Sequence, residues 1–413
     1  MRLFWLAACA VTVPLGTTAA LAEPLTFGAA LRRAAESPSV LGSDAGIAAA
    51  RSSAIAADRL PDPTLSLELK DFPVTGPDAG RLNRDNFTMT SIGVSQQFTN
   101  PAKRHARAAM AAAGITVAEA DRLIEVRAVR LETALAWIDL YYGQKRLALL
   151  QSLDAGLDDL QATVSARLAS GSARPSQALE PAQLRAQVAD RRAALVSDVA
   201  KAKAKLIRFT GDTDVQTAGE PPELPVDEAR LRSSLAAVPM LRARDAATLS
   251  ADAQAQLARA DKHPDWTVSA SYGRREPSYG DLVTVGVTID LPLFAKRRQD
   301  PKIAAALSEA DRTRFERAAA EREWAAGLEA NLAEHTMHHQ RLENARKTLV
   351  PLAKQRAMLD RESYAAGKTD LGTALLATLS VAEAEVDLLD REAEVARDAV
   401  RINITYAGAT DEL

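Results

Sequence analysis

Three of the five histidines, His335, His338 and His339, fall within the segment Glu-His-Thr-Met-His-His that begins at Glu334. Positions i, i+3 and i+4 share a helix face, so these imidazoles, with Glu334 nearby, have the spacing of a metal site. An internal repeat argues the other way: at an offset of 197 they correspond to Ile138, Tyr141 and Tyr142, which are packing positions. His335 and His339 also continue a seam of Leu328, Leu332, Leu342 and Leu349. The expectation is inter-helix packing or hydrogen bonding, with no resident metal and no cofactor. No nucleophile–base arrangement, phosphate loop or cysteine–histidine zinc pattern stands elsewhere, so an enzyme is not expected.

The whole chain narrows the class further. Its formal charge is −3 with 25% charged residues of interspersed sign, which excludes a nucleic-acid footprint. Few aromatic residues among many Ala, Leu, Glu and Arg favour long, closely packed helices. Residues 1–22 carry Arg2, an apolar stretch and Ala20-Leu21-Ala22 before Glu23, the layout of a cleavable secretory signal peptide. Leu6-Ala7-Ala8-Cys9 resembles a lipid-attachment box, but Cys9 would leave an apolar core of only a few residues before it. Removal of the signal takes away Cys9, the one cysteine, and with it any disulfide. No later segment approaches the roughly 18 apolar residues of a membrane-spanning helix.

The elements that would position any site are duplicated. Pro61-Asp62 matches Pro264-Asp265 at an offset of 203, Leu135-Ala136 matches Leu332-Ala333 at 197, Gly171 matches Gly367 at 196, and Phe209-Thr210-Gly211 matches Tyr406-Ala407-Gly408 at 197. The spacing predicts a first repeat over 23–220 and a second over 221–413, joined at Pro221-Pro222 and Pro225. Each repeat reads as a helix (25–60; 227–261), a strand pair (64–70 with 87–98; 266–273 with 282–293), a very long helix (101–168; 301–365) and a returning helix (176–209; 371–407). Asn100-Pro101 and Asp300-Pro301 each place a capping residue before a first-turn proline. A helix of some 65 residues would run ~100 Å, matched by two shorter helices stacked end to end.

Leu65, Leu67 and Leu69 alternate with Ser66, Glu68 and Lys70. Trp266, Val268, Ala270 and Tyr272 alternate with Thr267, Ser269 and Ser271, and Val283, Val285, Val287 and Ile289 with Thr284, Gly286 and Thr288. A soluble sheet and a membrane barrel both fit such alternation. Four strands in an exported chain cannot close a barrel alone, since the smallest single-chain barrels have about eight. Three chains would supply twelve. In the second strand Thr88, Thr90 and Gln96 interrupt the apolar face, which the alternation does not explain. Trp266 and Tyr272 suit anchors at the bilayer boundary.

The duplicated layout, the LPDPTLSLEL entry, the TMTSIGVSQQFTNPAKR stretch, and the segments RLASGSARPSQAL and YAAGKTDLGTALL resemble the TolC-like outer membrane efflux proteins. The Pro-Asp-Pro entry and the SIGVSQQF exit are most similar to the CzcC-type branch, which serves divalent heavy-metal efflux. The resemblance implies a mainly α protein with a membrane β-barrel portion. It implies a homotrimer with a twelve-stranded barrel in outer-membrane lipid and a periplasmic α-helical tunnel, docking on a periplasmic adaptor (membrane fusion protein) and an inner-membrane RND-type pump. The breaks at Gly171 and Gly367 would then be the tips that meet the adaptor, through Arg167, Leu168, Ser170, Gly171, Tyr364 and Gly367. Arg174, Lys368 and Asp370 would be a periplasmic gate. Family members that ring the constriction with acidic residues differ here, where Thr373, Leu376 and Thr378 stand. A duct for drugs or type I protein secretion would share every feature. A soluble periplasmic coiled-coil adaptor or scaffold would need one hairpin and a separate β domain.

Overall fold

The computed structural model describes residues 24–82, 84–170 and 174–408. The expected signal segment with Cys9, and the tip residue Gly171, lie outside the described residues.

Where one leading helix is expected in each repeat, two are found. In the first, α1 (Phe27–Ala34) stops before α2 (Pro38–Ala56). In the second, α5 (Glu228–Ser234) and a 3-10 turn precede α6 (Pro239–Ala260). Pro38 and Pro239 have no N–H to continue a helix and push the preceding residue into extended backbone, so each begins a new one.

The long helix α3 (Pro101–Ala169) is continuous over 69 residues. Its start is capped by Asn100, whose Oδ1 accepts the Ala102 N–H at 2.9 Å. It is followed by α4 (Glu180–Thr210). The second long rod departs from expectation twice. It starts at Ala295, so Pro301 lies inside α7 (Ala295–Asn344) and Asp300, the expected cap, instead pairs with Lys262, in the turn after α6, at 2.5 Å. It then passes through a π turn (Ala345–Leu349) into α8 (Val350–Ala365). The turn lies just before Pro351, which cannot donate to the carbonyl of the preceding turn. The extra residue advances the seam: Leu328, Leu332, Leu342, Ala345 and then Val350 are buried, while Leu349 is 41% exposed and His339 is exposed. Expecting Leu349 in the seam assumed an unbroken α period, whereas His339 is already turned outward before the π turn begins.

The last helix, α9 (Leu371–Tyr406), runs back along the rod, packing on α3, α7 and α8. On α3 also lie α1, α2, α4 and α6, and α6 packs on α7 as well. The main core gathers Phe27, Trp137, Ile138, Leu140, Leu206 and Val400. Trp137 stacks on Tyr141 and meets Phe27 edge-on, and its Nε1 donates to the Leu25 carbonyl at 2.8 Å. Leu25 bridges Thr217, tying the start of the first repeat to its end. No described helix is long and apolar enough to cross a membrane.

All four strands form one antiparallel sheet, β1 (Thr64–Lys70), β2 (Met89–Phe98), β3 (Trp266–Arg274) and β4 (Leu282–Ile289), in that order. The two strand pairs are thus joined by β2 and β3, one from each repeat. The second strand begins at Met89 rather than 87 because the Phe87 and Thr88 N–H groups turn to Asp85 Oδ1. The fourth ends at Ile289 rather than 293 because Pro292 lacks a donor and the Leu293 N–H closes onto the Leu291 carbonyl at 2.9 Å.

Candidate functional site

The register places the large apolar strand residues on one face, apart from Met89 and Leu282 at the loop end. Leu67 pairs with Ile92, Ile92 with Tyr272 and Tyr272 with Val283; Leu65 pairs with Val94, Val94 with Ala270 and Ala270 with Val285. These side chains are exposed in the single chain, Leu67 by 74% and Val283 by 71%. The residues that broke the pattern lie at its rims. Gln96, at the helical end, donates to the Pro61 carbonyl at 2.8 Å; Thr88, at the loop end, donates to the Asp71 carbonyl at 3.1 Å. Between the rims the band is apolar.

The opposite face holds Ser66, Glu68, Ser91, Gly93, Ser269, Ser271, Thr284 and Gly286. Near its centre its residues are small, yet it is the more crowded side: Ser91 is buried, and a Cβ on Gly93 would lie 2.8 Å from Ser66 Oγ and 3.1 Å from Ser271 Cβ. The sheet therefore curls toward its polar face. Polar residues inside the curve and apolar residues outside it are the arrangement of a membrane barrel wall. The outer edges of β1 and β4 pair with no described strand.

Where strands meet helices, Asp265 joins the repeats. Its Oδ1 accepts the Asn100 N–H and its Oδ2 the Lys103 ammonium, each at 2.8 Å. Both side chains of the ion pair are largely buried. Burial raises the Asp265 carboxyl, but the Lys103 and Asn100 hydrogen bonds outweigh it and hold the group below the ordinary range. Sequence reasoning singled out the Pro-Asp pair only as a strand entry; its recurrence was the available signal for this role.

At the other end of the rods, α8 closes on Gly367, whose φ of +71° favours glycine. The Gly367 N–H donates to the Tyr364 carbonyl at 3.0 Å and the Lys368 N–H to the Ser363 carbonyl at 2.8 Å, the Schellman pattern. Asp370 then caps α9, accepting from the Thr373 N–H at 2.8 Å and its hydroxyl at 3.0 Å. Those two bonds, with Arg174's positive charge adding to them, hold the Asp370 carboxyl low. Tyr364 is half-buried and packs against a cluster that includes Leu184, Leu371 and Leu375. Arg167 and Leu168 lie in the last turn of α3, and Ser170 is exposed beyond it. Sequence reasoning missed Glu180, in the first turn of α4, whose Oε2 is buried without a hydrogen bond. Burial first, and then the charge of Asp370, raise its carboxyl. An acid directly after the tip break was the signal that could have found it.

The histidines form a different network. His338 Nδ1 lies 2.6 Å from Asp398 Oδ2 on α9, and Arg401 lies 3.5 Å from the same carboxylate. His335 meets His339 edge-to-face at 4.7 Å, and its buried Nδ1 makes no hydrogen bond. Burial, then His339, lower the His335 pKa. Among the described residues no three His, Cys, Asp or Glu side chains converge to hold a metal.

Residues 231–404 match the family model of the outer membrane efflux protein. No curated protein matches. Among solved structures, a membrane protein from Pseudomonas aeruginosa superposes with a TM-score of 0.79 at 15% identity, over 92% of this chain and 90% of that one. The CmeC outer membrane channel of Campylobacter jejuni gives 0.77 at 10% identity, over 94% and 87%. The open state of the MtrE outer membrane channel of Neisseria gonorrhoeae gives 0.75 at 15% identity, over 93% and 89%. Over residues 231–404 the chain is thus similar to the outer membrane efflux protein family, and over nearly its whole length it has the fold of these outer membrane channels.

Proposed function

We propose that three copies of this chain form the outer-membrane duct of a tripartite efflux system, and that its cargo is a divalent heavy-metal cation. The observation that carries the duct is the four-stranded sheet with one exposed apolar face, one polar face and two edges without a described partner. Three copies give twelve strands, enough to enclose a water-filled lumen. The partners are a periplasmic adaptor and an inner-membrane RND-type pump that supplies the energy. The adaptor meets the tips at Arg167, Leu168, Ser170, Gly171, Tyr364 and Gly367, while Arg174, Lys368 and Asp370 set the charge at the entrance.

The metal cargo rests on the likeness of LPDPTLSLEL and SIGVSQQFTNPAKR to the CzcC-type branch. The histidine network fits a conduit, because His338 is engaged by Asp398 and passing cations find no tight site to stop in. Deleting the gene and measuring sensitivity to zinc, cobalt, cadmium, copper and a drug panel tests the cargo. Loss of metal tolerance is expected; unchanged metal tolerance with lost drug tolerance would overturn the metal assignment.

A further inference from the structure

Aligned on their strand exits, the two repeats match without a gap at an offset of 193. Ser91-Ile92-Gly93-Val94-Ser95 corresponds to Thr284-Val285-Gly286-Val287-Thr288, and Ala102-Lys103-Arg104 to Ala295-Lys296-Arg297. Lys296 is therefore the second-repeat counterpart of Lys103, as Asp62 is the first-repeat counterpart of Asp265. Within the chain, Asp265 and Lys103 clasp each other between the repeats. Their counterparts do not: Asp62 and Lys296 are exposed, and neither has an ion-pair partner among the described residues.

The neighbouring elements show the same half-filled pattern. Helix α6 lies against both α3 and α7, burying Leu241, Ala246, Ala251, Ala253 and Ala255. Helix α2, its counterpart, lies against α3 and buries only Val40, leaving Leu41 and Ile55 exposed. Strand β3 is paired on both sides, and β1, its counterpart, on one. Each first-repeat element lacks the second-repeat neighbour that its counterpart's symmetry requires. The missing neighbour has the chemistry of this chain's own β4 and α7.

Resting on the trimeric duct, we propose that Asp62 of one copy pairs with Lys296 of the next, reproducing between chains the Asp265–Lys103 clasp. The clasp fixes the register of the closing strands. Val94 pairs with Ala270 and Ile92 with Tyr272 inside the chain. Transferring those pairs by the two offsets sets Val287 of one copy opposite Leu67 of the next, and Val285 opposite Leu69. Both are apolar pairs on the lipid-facing side, as continuity of the apolar band demands. A one-residue slip would set the apolar residues of one strand beside the polar residues of the other.

The test uses the full chain, whose one native cysteine is Cys9. Light scattering on detergent-purified protein first reports the number of chains. Asp62→Cys with Lys296→Cys is then treated with a reducible bis-methanethiosulfonate linker, which spans the length of an Asp–Lys pair as a direct disulfide does not, and run on denaturing gels, beside Asp265→Cys with Lys103→Cys. Expected are reducible bands of two and three chains for the first pair and a single-chain band for the second. Leu67→Cys with Val287→Cys should crosslink more efficiently than Leu67→Cys with Val285→Cys. A trimer without the 62–296 crosslink, or with the efficiencies reversed, overturns the clasp and leaves the duct standing. A monomer overturns both. Should the cysteine pair fail to assemble, the exchange Asp62→Lys with Lys296→Asp decides. Trimer heat resistance lost in each single variant and restored in the double supports the clasp; no restoration overturns it.

Discussion

Lys103 Nζ sits 2.8 Å from Asp265 Oδ2, so the first turn of the first long helix is bound to the strand entry of the second repeat. A buried pair broken on one side leaves the other charge stranded. Lys103→Met should therefore cost about 3 kcal/mol, read as lost thermal stability in detergent. Replacing both partners with apolar residues should cost less. The pH dependence follows from the lowered Asp265 carboxyl. Its contribution is present above the unfolded value of about 4 and is lost as pH falls through the lower folded value. Melts of the Asp265→Asn variant should lack that acid limb.

The two faces of the sheet should respond oppositely to charge. Leu67→Arg, in the middle of the apolar band, should cost about 2–4 kcal/mol of membrane stability. Thr284→Lys, on the polar face, should assemble normally and alter single-channel conductance and ion selectivity. Outer-membrane yield and planar-bilayer recording separate the two.

At the tip, capping and charge can be told apart. Asp370→Ala removes the N-cap of α9 at a cost of about 1 kcal/mol, whereas Asp370→Asn keeps the cap and removes the charge. If Asp370 gates the entrance, both variants should leak, measured as uptake of a large antibiotic. Leakage in the alanine variant alone would leave Asp370 only a cap.

Trp137 is fully buried, stacked on Tyr141 and bonded to the Leu25 carbonyl. Trp137→Ala should destabilise the helical trunk by about 3–5 kcal/mol, visible as a lower melting temperature by circular dichroism. Trp137→Phe should cost less, because it keeps a ring while losing the bond to Leu25.

His335 gives the trunk a mild acid sensitivity. Facing His338, His339, Asp398 and Glu228, it has a lowered pKa, so below pH ~6.5 the unfolded chain takes up a proton that the folded one resists. Stability should decline from there toward the folded value. His335→Leu should flatten that part of the pH–melting curve.

Much of this was written in local pattern. The strands were legible because Leu65, Leu67 and Leu69 alternate with Ser66, Glu68 and Lys70, and the start of α3 because Asn100 precedes Pro101. The ends of elements were less so. Pro38 and Pro239 read as helix residues although they are helix starts, and Pro301 read as a start although it is interior. A proline's missing donor fits either place, and only tertiary neighbours decide. The π turn before Pro351 moved Leu349 outward for a reason no fixed period contains. The Asp265–Lys103 clasp links residues 162 positions apart, so only folding brings it together. Gln96 and Thr88 looked like faults in a strand until their positions at opposite rims of the band gave them partners.

The sheet's exposed apolar face also dictates an order of events. A single chain in water carries, on β1 and β4, two edges without a described partner and an exposed apolar surface, the combination most prone to edge-to-edge aggregation. The helices can pack in water; the strands cannot be left there. Only the two outer edges and the apolar face then wait for neighbours and lipid.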